Sequence, residues 1–409
     1  MFLTIMKLAL RNIFRNSRRT IITLCSITMG GTAIILVGGY IDYNFWGLRE
    51  VTIHSELGHM QFYKKGFNQL SKLDPNKYLM SKEQGEKLEA IVRSSKEVIL
   101  TANRLSTSGI IGNGEKTVFF MGQGVEPDKE AKISNSLNVV KGRNLFDDDA
   151  YKVVLGRKLA EQLDLKPGDT TTLVVTTLSG SINAIDFTVV GLISNGYKEF
   201  EDKIVRMRLE DMQELLGTTN FERKVVLLKE TLKTKAVASV LKKKIENQSF
   251  EMLLWTDLAD YYQQVKTIYI NIFNFLKSII LVIIVLSIIN TMTMSVMERI
   301  TEFGTLRAMG TTRQEILLMM ISEGFLLGIL GGITSLISGV SLAFIINILG
   351  GIPLEAPPGH TQGYQIFINL VPDVLIFSFA VAIIAAIISS IAPAIKASKL
   401  DVVEALRHV

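Results

Sequence analysis

A chain of 409 residues has room for about two or three domains. Its 44 Lys plus Arg against 39 Asp plus Glu give a net charge of +5, and its 48% hydrophobic content with a mean hydropathy of +0.32 excludes a disordered chain and argues against an ordinary soluble globule. One cysteine, Cys25, and 8 prolines exclude a disulfide framework and a proline-rich or collagen-like chain.

Residues 1–19 read as an amphipathic interfacial helix. Leu3, Met6, Leu10, Ile13 and Phe14 share one face, with Lys7, Arg11, Arg15 and Arg18 on a neighbouring face. Residues 20–41 then run without a charge, long enough for a first transmembrane helix and too long for the apolar region of a signal peptide. Cys25 follows Leu24 rather than a small residue, so it is read as an inert membrane cysteine in an uncleaved span.

Residues 42–265 read as one α+β extracytoplasmic domain with two βαβ-like lobes. Strands are expected at 59–63, 118–122, 152–155, 171–177, 183–193, 224–229 and 250–255. Helices are expected at 81–95, 157–163, 209–216 and 231–248, the first opened by Ser81. The domain holds no cysteine and needs no oxidative folding. From Trp255 to Lys277 an unbroken helix is expected to feed the second transmembrane helix, assigned to 266–297. A loop at 298–316 precedes a third span at 317–346. A loop at 347–373 precedes a fourth span at 374–395, and 396–409 forms a tail.

Lys and Arg are distributed unevenly around these spans. They crowd residues 1–19, the 298–315 loop (Arg299, Arg307, Arg313) and the tail (Lys396, Lys399, Arg407), and are missing from 347–373. The positive-inside rule puts both termini and the 298–316 loop in the cytoplasm. Because the basic segments abut apolar runs, nucleic acid is not expected as a partner and membrane lipid is.

No catalytic constellation is legible, and no metal site is expected. Gly109 to Thr117 superficially resembles a phosphate loop, but Glu115 separates Gly114 from Lys116, so a hairpin turn is the expectation. His54 and His59, on an expected strand, would point to opposite faces; His360 and His408 stand alone. Asp147, Asp148 and Asp149 lack the spacing of a calcium loop and read as a solvated turn.

Small residues recur inside the spans: Gly30, Gly31, Gly38 and Gly39 in the first, Gly324, Gly328 and Gly332 in the third, and Ala382, Ala385, Ala386, Ser389 and Ser390 in the fourth. They permit close helix packing, within one subunit or along a dimer seam. Glu323 is a buried acid in the third span, expected to serve a structural partner rather than a proton relay.

The 298–316 loop runs Glu298-Arg299-Ile-Thr-Glu302-Phe303-Gly304-Thr-Leu306-Arg307-Ala308-Met-Gly310-Thr-Thr-Arg313-Gln-Glu-Ile316. It resembles the signature of FtsX/MacB-like permeases of ABC transporters, E-R-x-x-E-x-G-x-L-R-A-x-G-x-x-x-x-x-I, and the match continues into Glu323-Gly324. The tail ending Glu404-Ala405-Leu406-Arg407 is also similar, with Val402 where the family usually carries Pro. The layout resembles lipoprotein-releasing permeases of the LolC/LolE type.

The resemblance implies an α-helical membrane protein with four transmembrane helices per subunit and a large α+β domain, MacB-like, between the first and second. It implies a non-enzymatic, multi-pass subunit of the bacterial inner membrane. The chain would bind no cofactor itself; ATP and Mg would sit on two copies of a cytoplasmic ABC ATPase. A second permease subunit, identical or different, would complete the complex. By mechanotransmission, ATP hydrolysis would then release or export lipoprotein or another amphiphilic cargo, with a periplasmic carrier or adaptor. An FtsX-type regulator that relays ATPase motion to a periplasmic partner is the alternative. ATPase coupling is expected at 298–316, with charges of both signs on a short helix and Phe303 and Leu306 as its apolar anchor.

Overall fold

The structure is a computed structural model that describes residues 9–13, 15, 17–71, 74–135, 137–246, 248–355 and 363–399. The expectations for Leu3, Met6, Lys7, Phe14, His360 and His408, and for the tail beyond Lys399, lie outside those residues. The chain divides into two compact units. One comprises Met1–Trp46, Lys266–Pro353 and Gln365–Val409; the other comprises Gly47–Val265 and Leu354–Tyr364.

In the first unit, hydrocarbon-length runs become helices because in lipid every backbone N–H and C=O must be bonded within the segment. Among the described residues, four helices are long and apolar enough to cross a membrane, and lie within Ser17–Ser55, Asp260–Glu298, Arg313–Ile348 and Pro372–Ser398. Thr312 and Glu315 form a capping box that opens the third. Pro372, with no N–H to leave unbonded, opens the fourth.

The glycines act between spans of this one chain. A Cβ built at Gly328 would lie 2.8 Å from Ile383 Cα, and one at Gly324 2.7 Å from Ser390 Cβ, so the third and fourth helices approach backbone to backbone. Gly332 faces Phe379, Gly30 faces Ile284, Gly31 faces Ser335 and Gly38 faces Val374. Gly331 and Gly339, which the sequence reading passed over, receive Ile27 and Ile35. Hydroxyl pairs bridge the same seams, Thr28 to Thr334 at 2.6 Å and Ser26 to Ser287 at 2.9 Å.

The second unit is built on ten strands: β1 Met60–Lys64, β2 Val98–Gly112, β3 Thr117–Val125, β4 Asn138–Gly142, β5 Lys152–Gly156, β6 Thr170–Thr176, β7 Ile182–Ser194, β8 Ile204–Arg208, β9 Arg223–Leu228 and β10 Phe250–Leu254. They form one sheet rather than the two expected lobes. Six of them close on themselves, β2 to β3 to β8 to β5 to β7 to β6 and back to β2. The pairs β3–β8 and β5–β7 are parallel, and the other four contacts of the ring are antiparallel. Leu105, Ile111, Phe120, Leu173, Phe187 and Val205 lie in the core, together with Met212 and Leu215 of the helix Leu209–Leu216. The 15-residue β2 is the seam: Val98–Arg104 pairs with β9 and Gly109–Gly112 with β6. From β9 the sheet continues through β1 to β10.

The first helix runs to Thr52 and passes into a π-helical turn, Ile53–Leu57. The carbonyl of Ser55 in that turn accepts from Arg206 Nη2 at 2.8 Å and Ser134 Oγ at 3.2 Å. Behind them lies a buried ion cluster. Glu130 takes Arg104 at 2.6 and 3.0 Å and lies 3.4 Å from Arg206. Burial alone would raise the Glu130 pKa; the two guanidiniums outweigh it and hold the pKa below the usual value.

Other expectations shift. Asp149 is buried and bonded by Arg143 and Lys152 rather than solvated. The helix at 255–277 is broken: Trp255–Leu258 ends at Ala259 and a new helix starts at Asp260. His54 lies in the π-turn, not on a strand, so its ring meets His59 edge-on at 5.8 Å instead of facing away.

His59 Nδ1 accepts from the Leu228 amide at 3.1 Å, which leaves the proton on Nε2 for Thr231 Oγ1 at 3.0 Å. Burial, with His54 and Arg49 nearby, lowers its pKa from 6.5 to about 4. An unfolded chain therefore takes up a proton that the folded one refuses. The stability this group contributes is complete above about pH 6.5 and is lost as pH falls through about 4. In His59→Gln, whose amide can keep both bonds, thermal unfolding of the detergent-purified chain should show a shallower acid loss. The difference from wild type should reach roughly 2 kcal/mol at about pH 4.5. Parallel pH profiles would show that His59 does not titrate in this way.

Candidate coupling site

The second span ends at Glu298, and Arg299 breaks the helix with φ −109° and ψ 16°. A short helix, Ile300–Ala308, follows; Gly310, at φ +99°, turns the chain into the capping box of the third span. The loop read from the sequence is thus a helix and a tight turn between two spans.

Its two sides differ. Phe303 is fully buried and Gly304 is buried with it. Phe303 shares a core with Ile13, Met292, Val296, Ile316 and Met320, and Leu306 packs against that core. Phe303, expected as an apolar docking anchor, instead has its ring committed to holding the short helix on the bundle. Met309, 71% exposed, is the large apolar side chain of the segment that faces outward, and Thr305, Ala308, Gly310 and Arg313 are exposed as well.

The charges are also partly committed. Glu302 accepts from Arg15 at 2.7 and 2.8 Å and from Arg299 Nε at 2.9 Å. Burial works against ionisation of Glu302, but the hydrogen bonds from Arg15 and Arg299 prevail and lower its pKa. Glu298 pairs with Arg19. Arg299 is 5% exposed, stacks over Phe303 at 5.1 Å and reaches Glu323 at 3.4 Å. Arg307 donates to the Thr311 carbonyl at 3.4 Å and steadies the turn.

The structural partner of Glu323 is therefore Arg299, and Arg15 and Arg19 complete the network. Sequence reading placed those arginines on an interfacial helix and did not pair them with the loop acids. Ile13 of that segment is buried in the bundle core, while Leu10 is exposed. The signal available was charge complementarity between residues 11–19, all basic where charged, and the acids of 298–302.

Elsewhere, Gly109 to Thr117 is the hairpin between β2 and β3, where Asn113 Oδ1 accepts from the amides of Glu115 and Lys116. Among the described residues, no three His, Cys, Asp or Glu gather as a metal site.

Residues 274–402 match the FtsX-like permease C-terminal family, and residues 20–244, more than half of the chain, match the MacB-like periplasmic core domain. An uncharacterised ABC transporter permease of Methanocaldococcus jannaschii is 26% identical, over 98% of this chain and 97% of its own. The lipoprotein-releasing system transmembrane protein LolC of Neisseria meningitidis is 21% identical, over 95% of this chain and 94% of its own. LolC of Xylella fastidiosa is 25% identical, over 72% of this chain and 74% of its own. The periplasmic region of MacB from Actinobacillus actinomycetemcomitans is 15% identical, covers 52% of this chain and 94% of its own, and superposes with a TM-score of 0.36. Members of the family are membrane components that work with cytoplasmic ABC ATPases. With both parts matched in order and four apolar helices around them, the chain belongs to the FtsX/MacB-like family of ABC transporter permeases.

Proposed function

We propose that this permease takes up ATP-driven motion from a separate cytoplasmic ATPase at residues 298–316 and passes it along its spans to release or export a lipoprotein or another amphiphile. The observation that carries the reading is the short helix and the turn that follows it: fully buried Phe303 locks the helix to the bundle, while Met309 at its C-cap stands 71% exposed. A push on the outer face reaches the third span through Phe303 and the Arg299–Glu323 pair. The Ser55 carbonyl, held by Arg206 and Ser134, is the corresponding grip where the first helix ends.

The distribution of Lys and Arg supports an orientation with both termini and the loop in the cytoplasm, in the inner membrane. The reading gives ATP and Mg²⁺ to two ATPase subunits and pairs this chain with a second permease, identical or different. Lipoprotein as cargo rests on similarity to the LolC proteins of Neisseria and Xylella.

Met309→Asp, and separately Arg313→Glu, should cut recovery of the ATPase with the purified permease by about tenfold, the scale of one interfacial contact worth ~1.4 kcal/mol. Membrane insertion should be unchanged. Native mass spectrometry should read two permeases with two ATPases for the wild type, and any bound acylated protein would identify the cargo. Full assembly and full transport in both variants would end the docking assignment. Recovery of the ATPase with a periplasmic enzyme, and never with an amphiphile, would favour a regulator of the FtsX type.

Phe303→Ala separates the inner face from the outer. It should destabilise the bundle by about 3–5 kcal/mol through the cavity it leaves, and so lower the thermal transition before it affects assembly. An unchanged transition would show that Phe303 is not the lock.

A further inference from the structure

Where the second span ends at Glu298 and the fourth at Ser398, the two helices leave an open groove of about 480 Å³. Val296, Met297, Pro393 and Ile395 give it apolar walls, and Lys396 and Lys399 stand at its edge. Lys396 lies in the last turn of the fourth helix and Lys399, three positions on, is its C-cap residue, and both line the groove. Both are exposed, and neither pairs with an acid among the described residues. Among the described residues, no carboxylate lines the groove.

The lysines complement the negative end of the fourth helix, but that does not account for an apolar groove beneath them. Both helices span a bilayer, and their ends lie where hydrocarbon gives way to headgroups. An occupant there must put an apolar chain against Val296, Met297 and Pro393 and an anion against two ammonium groups. We propose that this groove is a binding site for an anionic phospholipid, with its phosphate on Lys396 and Lys399 and an acyl chain along the apolar wall. A zwitterionic lipid would bring its own cation towards the same two lysines and bind less well.

The test uses the full chain in detergent with an equimolar mixture of phosphatidylglycerol and phosphatidylcholine, read by native mass spectrometry. The wild type should retain phosphatidylglycerol in preference. Lys396→Gln combined with Lys399→Gln should lower that retention by about tenfold to thirtyfold, the scale of two surface cations acting on an anionic headgroup. The double arginine variant should keep it. Ile395→Trp, which narrows the groove and leaves both charges, should also lose the lipid. Equal retention of the two lipids by the wild type would overturn the proposal. So would unchanged retention of phosphatidylglycerol in both the glutamine and the tryptophan variants. If the glutamine variant instead keeps its lipid and loses its ATPase, the groove is a protein dock and not a lipid site. None of these readouts depends on what the transporter moves.

Discussion

A guanidinium that is 5% exposed at the end of a membrane-spanning helix has to be neutralised where it stands, and Arg299 is neutralised from two directions. Glu302 accepts from its Nε at 2.9 Å and Glu323 from its Nη1 at 3.4 Å, while its plane lies over the Phe303 ring. Moving a charge out of water costs several kcal/mol, and only close partners recover it. Glu323 meets the same demand from its side, since it too is buried. The two residues belong to different elements, the break after the second span and the body of the third. Their mutual need sets where the short helix Ile300–Ala308 sits. Glu302 then ties Arg15 into the same network, so the loop is a fixed part of the bundle.

The rest of the membrane unit follows from a different shortage. Lipid is as apolar as leucine, so burying leucine against leucine gains little there. The third and fourth helices associate instead by removing side chains: Gly324 and Gly328 lie under Ser390 and Ile383, and Ala382, Ala385 and Ala386 are buried on the facing side. The second helix has no such stripe. Its apolar surface, Phe275, Val282, Ile283 and Leu286 among others, is turned outward. Bulky outward residues on one helix and small inward residues on two others are two answers to one solvent.

Legibility of these features in the sequence tracked how locally each was determined. Spans are announced by uncharged runs, and Ser81 announced a helix that the structure opens with a capping box of Ser81 and Gln84. The 15-residue β2 and the short β8 were missed because each carries an arginine, Arg104 or Arg206, where an apolar residue would have signalled a buried strand. Those arginines are buried because Glu130, distant in sequence, waits for them. His54 and His59 were set on opposite faces by a strand period that does not apply, since the helix continues through Leu57. Phe303 failed for a subtler reason. An aromatic residue in a charged loop suits a docking anchor and a core side chain equally well, and only the position of the third span decides between them.

In both units a backbone or side-chain polar group that has left water is held by charges from far along the chain. Arg299 and Glu323 do this at the end of a span. Arg206, Ser134 and Glu130 do it around the Ser55 carbonyl, one of the last carbonyls of a helical segment that ends at Leu57 and so lacks an amide of a following turn. Such sites are rigid because leaving any one partner unpaired costs more than an ordinary hydrogen bond gains. A helix end secured in this way keeps its position relative to the residues that hold it. Apolar packing alone, which lets side chains hop between rotamers, would fix such a helix end less firmly.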